Sequence, residues 1–181
     1  MTNTSKTAGW LTPINGEPAC DSALAEQISA WIQGITGLTE DRVAVYDGIV
    51  PPSWSPDSEN GCAFIIMKTV AEGTPVAEKQ QDENVQLARD ERLECLLHFY
   101  GRDAQLYATR FRDGNCLTQN LAALKKLSLS VRDCSDIATV LETVNNSQTR
   151  RYELTVNIVR KISRLYGIYS LVETPIQFFG E

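Results

Sequence analysis

The alternation through Tyr152-Glu153-Leu154-Thr155-Val156-Asn157-Ile158 leaves this part of the chain little freedom. Apolar side chains fall on every second residue, so the segment buries one side only as a β-strand. Leu93, Cys95, Leu97 and Phe99, against Arg92, Glu94, Leu96 and His98, predict a second strand of the same kind, within a stretch Val85 to Tyr100 that holds one or two strands. That run stops at Gly101-Arg102-Asp103, where the period changes. Ala104, Tyr107, Ala108 and Phe111 then share one face of a helix, with Asp103 as its cap and Gly114 as its end.

The same grammar reads the rest of the chain. Leu24, Ile28, Trp31, Ile32 and Ile35 predict a helix over Asp21 to Thr36, with Asp21 at its N-cap and Gly37 as its stop. Thr118 to Lys126 predicts a short helix with Lys125 and Lys126 in its last turn, where the helix dipole favours cations. Arg42 to Tyr46 reads as a short strand with Val43 and Val45 on one face, Cys62 to Val70 as a longer one, and Leu127 to Val131 as another. Gly73 and Pro75 make residues 71–82 a turn and linker, and Ile137 to Val144 fits strand or helix equally.

After Gly167, the residues Ile168, Ser170, Val172, Thr174, Ile176 and Phe178 share a face. With the run before them they predict an antiparallel hairpin from Arg150 to Phe178. Val159, Ile162 and Leu165 no longer keep one parity, which predicts a bulge or bend near Arg160.

These segments sum to an α+β fold: a mainly antiparallel sheet, two or three helices packed on it, and a long C-terminal β-hairpin. Residues 1–20 read as an extended arm with Trp10, Leu11 and Ile14 as apolar anchors, and residues 21–181 as a single domain, a length suited to one core. Residues 48–61 hold three prolines, two glycines and Trp54. A loop of that length is unusual in a compact domain and often functional.

Seventeen basic and 23 acidic residues give a formal charge of −6, which attracts neither nucleic acid nor an anionic membrane by overall field. No stretch reaches 18 apolar residues, and none of signal-peptide length follows Met1, so neither membrane spanning nor export by a standard signal is expected.

Cys20, Cys62, Cys95, Cys116 and Cys134 form no C-x-x-C pair and read as free thiols in a reducing compartment. With His98 as the single histidine, they predict a chain without metal or organic cofactor. Strand alternation points Cys95 and His98 to opposite faces, which argues against a local Cys-His dyad. No phosphate-binding glycine motif, nucleophile elbow or H-E-x-x-H motif is present, so a non-enzymatic role is expected.

Arg150, Arg151, Arg160, Lys161 and Arg164 cluster near the C-terminus of this acidic chain. Three readings stand: a solvated edge that blocks aggregation, pairing with acids of a neighbouring subunit, or a grip on DNA. The last lacks aromatic interleaving.

Four stretches in fixed order carry a resemblance. They are Trp31-Ile32-Gln33-Gly34-Ile35-Thr36-Gly37-Leu38; Glu94 through His98-Phe99-Tyr100-Gly101-Arg102-Asp103-Ala104; Phe111-Arg112-Asp113 with Thr118-Gln119-Asn120-Leu121; and Arg150-Arg151-Tyr152-Glu153-Leu154-Thr155-Val156 with Tyr166-Gly167-Ile168. In this order the chain resembles the neck and tail terminator proteins of tailed phages. The arm and the 48–61 loop match nothing in that pattern.

The resemblance implies a structural virion subunit without a catalytic site. Such a subunit forms a homo-oligomeric ring that closes the tail tube or joins it to the head connector, beside neck, connector and tail-tube proteins. Trp10, Trp54, Arg150, Arg151, Arg160, Lys161 and Arg164 are the expected interface residues. A domain of this length has an equivalent radius of ~20 Å, so six in a ring leave a hole of roughly 40 Å, wide enough for a duplex, and three leave about 6 Å. Two rival readings are a monomeric binding module using the 48–61 loop and a cysteine-dependent enzyme with Cys95, Cys116 or Cys134 as nucleophile.

Overall fold

A computed structural model describes residues 3–15, 18–46, 59–81, 83–144 and 147–168. The element order is α1 (Asp21–Thr36), a 3-10 turn (Glu40–Arg42), β1 (Val43–Val45), β2 (Gly61–Gln81), β3 (Asn84–Tyr100), α2 (Ala104–Gly114), α3 (Thr118–Lys126), β4 (Leu129–Cys134), β5 (Ala138–Val144) and β6 (Ser147–Gly167). The strands form one sheet in the order β1-β2-β3-β6-β4, with β5 also paired to β6. β4 and β5 run antiparallel to β6, while β1 runs parallel to β2. The fold is α+β, as the periodicities predict.

The chain divides into two compact units. The larger, Ala19–Glu72 and Asp90–Lys161, holds the three helices and the main core. Leu93, Cys95, Leu97 and Phe99 of β3 and Leu154, Val156 and Ile158 of β6 are buried, as their alternation requires. Phe111 of α2 meets Trp31 of α1 edge-on at 4.9 Å between ring centres and Phe99 at 6.1 Å. α1 lies against α2 at Gly114, where a Cβ would come within 2.4 Å of Ile35 Cγ2. Arg110 of α2 donates to the Thr36 carbonyl at 2.7 Å, supplying the cation that the last turn of α1 lacks.

Several boundaries depart from expectation. Cys20, not Asp21, is the N-cap of α1, and Asp21 opens the helix at φ 47°. Gly37 caps the other end in the left-handed region. β4 begins at Leu129, because Leu127 still closes α3 and Ser128 turns the chain at φ 60°. Val45 is 57% exposed although it shares parity with buried Val43.

Residues 71–81 are strand, not linker. β1 flanks β2 only at Cys62–Phe64, so the proline at 75 lies where that edge of β2 has no strand neighbour among the described residues. Ala138–Val144 resolves as strand, since β6 offers Tyr152 and Glu153 as partners for Thr139 and Ala138. β6 is continuous to Gly167, and the second run of the expected hairpin, from residue 169, lies outside the described residues.

The bulge or bend expected near Arg160 does not interrupt β6, which is one strand from Ser147 to Gly167. The irregularity lies across the sheet in β4, between Val131 and Asp133, where the partners step from Ile158 to Asn157. One extra residue there absorbs the shift and lets β6 run on in register.

The smaller unit comprises Met1–Pro18, Gly73–Arg89 and Ile162–Glu181. Its arm follows the end of β6. Pro13 bridges Tyr166, Ile14 N–H donates to the Leu165 carbonyl at 2.8 Å, and Ser5 N–H donates to the Gly167 carbonyl at 3.1 Å. The Asn15 side chain takes the place of backbone, accepting from Leu165 N–H at 2.8 Å. Asn3 and Thr12 close the arm into a loop, Thr12 N–H donating to the Asn3 carbonyl at 3.1 Å. Lys6 pairs with Glu83 at 2.9 Å.

Gly101 and Gly34 give opposite expectations. Gly101 turns β3 into α2 at φ 98°, and a Cβ there would meet Asn60 Cα and the Glu59 carbonyl at 2.6 Å. Asn60 secures that turn, accepting from Asp103 N–H at 2.9 Å and donating to the Asp103 carboxylate at 3.0 Å. Gly34 lies within α1 with nothing within 4 Å of an added Cβ. Gly101→Ala is expected to lose about 2–3 kcal/mol from strain and clash. Gly34→Ala is expected to gain ~0.5–1 kcal/mol. Urea unfolding midpoints of the two variants check both signs.

Candidate assembly surface

The basic residues near the C-terminus differ in burial. Arg160 has the same parity as Leu154, Val156, Ile158 and Ile162 and is 9% exposed. On β3, Glu91 shares the parity of Leu93 and Cys95 and is 5% exposed. Two core positions therefore carry opposite charges, and the side chains meet: Arg160 Nη2 lies 3.0 Å and Nε 3.3 Å from Glu91 Oε2. Arg160 Nη1 also donates to the Ala19 carbonyl, just ahead of α1, and Nη2 lies 3.9 Å from Cys20 Sγ. This guanidinium ties β6, β3 and the entry to α1 together within the larger unit. Parity was the available signal, because both charges stand in otherwise apolar rows.

The other predicted interface residues do not gather in one stripe. Arg151 turns to its own strand, with Nε 2.6 Å from Glu153 Oε1, and is mostly buried. Arg150 and Lys161 are exposed and Arg164 is half-buried. Trp54 lies outside the described residues. Trp10 is 92% exposed, with Leu11 and Ile14 beside it at 41% and 39%. The arm is hydrogen-bonded along its backbone while its largest apolar side chain faces solvent.

The sheet face away from the helices is polar. Arg92 donates to Asn157 at 3.0 Å, and Asn157 donates to Asp133 at 2.6 Å. Arg92 and Arg132 both reach Glu72. These pairs link β2, β3, β6 and β4, and at partial exposure they fix register more than they add stability.

The residues proposed for chemistry are poorly placed for it. His98 is buried against Tyr46, with ring centres 5.3 Å apart, and its Nδ1 lies 2.9 Å from Glu153 Oε1 as an electrostatic contact without hydrogen-bond alignment. Burial pushes the Cys95 thiol up to about 12 and the Cys134 thiol to about 11, and raises Cys62 as well, so these sulfurs are thiols, not thiolates, at neutral pH. Cys20 and Cys116 are exposed. Among the described residues, no three of His, Cys, Asp and Glu converge on a metal position.

An apolar groove of about 230 Å³ lies between α1 and α3, lined by Ala30, Trp31, Gly34, Ile35, Ala123 and Leu124, with Asn120 and Leu127 at its side. It follows from small residues at 30, 34 and 123 on facing helix surfaces.

Residues 22–181 match the phage neck terminator proteins, and the chain belongs to that family. No curated protein matches the sequence closely enough to count as a relative. Membership carries a structural role in the phage neck and tail, as a virion component associated with other neck and tail proteins. Among the described residues, no helix is long and apolar enough to cross a membrane.

Arg160→Ala leaves Glu91 buried without its cation and is expected to cost about 3–5 kcal/mol in denaturant unfolding. Replacing both partners, as Glu91→Leu with Arg160→Met, is expected to recover most of that loss. Iodoacetamide at mild alkaline pH is expected to label Cys20 and Cys116 in the folded protein and Cys62 and Cys95 only after unfolding. Peptide mass mapping reads the order.

Proposed function

We propose that this chain is a ring-forming subunit of the phage neck. Its ring, read as six copies, closes the tail tube or joins it to the head connector. The observation that carries the reading is the edge of β2. From Ile65 to Gln81 it has no strand neighbour on the β1 side among the described residues, and it bears Met67 at 58% and Val76 at 62% exposure. An unpaired edge of that length is a template for a strand from another chain.

The charge favours the same reading. At −6 per copy, a closed ring is strongly acidic, and its hole repels a duplex instead of holding it. DNA then passes without sequence recognition. Trp10, Arg150 and Lys161, all exposed, are the residues of the expected interface set best placed to meet neighbours. The chemistry around Cys95 and Cys134 gives the enzyme alternative no support, since a buried neutral thiol is a weak nucleophile.

Electron microscopy and native mass spectrometry of the purified protein test this. Closed rings of uniform copy number are expected. Met67→Lys with Val76→Lys places charge on the open edge. It is expected to leave the unfolding midpoint within about 0.5 kcal/mol of the parent while abolishing rings. A protein that stays monomeric at every concentration, alone and with neck and tail partners, sinks the reading.

A further inference from the structure

Two features of this chain are each incomplete. Trp10 is held on an arm whose backbone is pinned at Asn3, Thr12, Pro13 and Ile14, yet its indole is 92% exposed. Burying such a ring removes ~150–250 Å² from water, so leaving it on an ordered segment forgoes a large stabilisation. Separately, the groove between α1 and α3 has about 230 Å³ open to solvent, with Trp31 and Leu124 as its apolar wall.

We propose that Trp10 of one copy seats in the α1–α3 groove of a second copy. The inference rests on the ring-subunit reading and supplies one of its contacts. Ala30, Gly34 and Ala123 make a slot without projecting side chains, and nothing lies within 4 Å of where a Gly34 Cβ would stand. A flat ring fits such a slot better than a branched aliphatic chain. The indole brings one N–H donor that needs an acceptor once buried. Asn120 lines the groove and uses its Nδ2 to donate to the Gly114 carbonyl at 2.9 Å, which leaves its Oδ1 to accept. Leu11 and Ile14 on the arm, and Leu127 at 37% exposure beside the groove, extend the apolar contact around the ring.

The two surfaces differ, so the contact is head-to-tail. Such contacts repeat from copy to copy and close into a ring when the rotation allows. A stable interface needs ~800 Å² from each partner, so the tryptophan is an anchor within a larger contact.

The test compares the full-length protein with Trp10→Ala and Gly34→Leu by sedimentation velocity over a concentration series. Circular dichroism melts check that each variant folds. Ala123→Leu fills the same groove from α3 and replaces Gly34→Leu if that variant unfolds. Each variant alone is expected to associate about 30-fold more weakly or worse. Mixed one to one, they are expected to give a dimer and nothing larger, because the mixture holds one intact tryptophan and one intact groove per pair. Rings of parental mass from both variants overturn the seat while leaving the ring reading standing. Loss of association in Trp10→Ala alone overturns the groove as its receptor. A parent protein that is monomeric throughout overturns the ring reading and the seat with it.

Discussion

A strand of 21 residues, β6, imposes the main constraint on this structure. Every backbone N–H and C=O it buries needs a partner. Within the larger unit β3 supplies one edge, and β4 then β5 supply the other over Ser147–Arg160. At the junction of the two short strands, Ser135 takes over, its N–H donating to the Thr155 carbonyl at 2.8 Å and its hydroxyl accepting from Thr155 N–H at 2.9 Å. Within the smaller unit the N-terminal arm meets the same demand at Leu165 and Gly167. Much of the chain is arranged to satisfy one strand.

Alternation along β6 then determines where side chains go. It buries Leu154, Val156 and Ile158 beneath the helices and turns Asn157 to the polar face. The same parity forces Arg160 inward, and Glu91 on β3 answers it. A buried pair of this kind seldom adds stability over apolar residues, but it is costly to break. Its third contact, to the Ala19 carbonyl, gives it a positional role at the start of α1.

The polar face of the sheet concerns the surface more than the core. Paired charges such as Arg92 with Glu72 are compatible with water or with another polar surface. Exposed Trp10 is different, because an apolar ring gains little from water and much from a partner.

The elements of the larger unit were legible because each rests on local rules: period 3.6 in α1, α2 and α3, period 2 in β3 and β6, and a glycine at 37 to stop the first helix. The family was legible from the order of four such stretches. Residues 71–81 were misread because glycine and proline mark turns locally, while tolerance of proline on a strand depends on whether that edge has a neighbour. Arg160 in an apolar row looks like a break in the pattern until the Glu91 carboxylate stands opposite it. The sequence by itself determined most helices and strands of the larger unit and the apolar face of each, since those follow from spacing between near neighbours. Only the tertiary structure decided that Glu91 stands opposite Arg160, that the arm binds the end of β6, and that Trp10 is left outside. Each of these depends on residues between about 70 and 160 positions away, and no local period records such a distance.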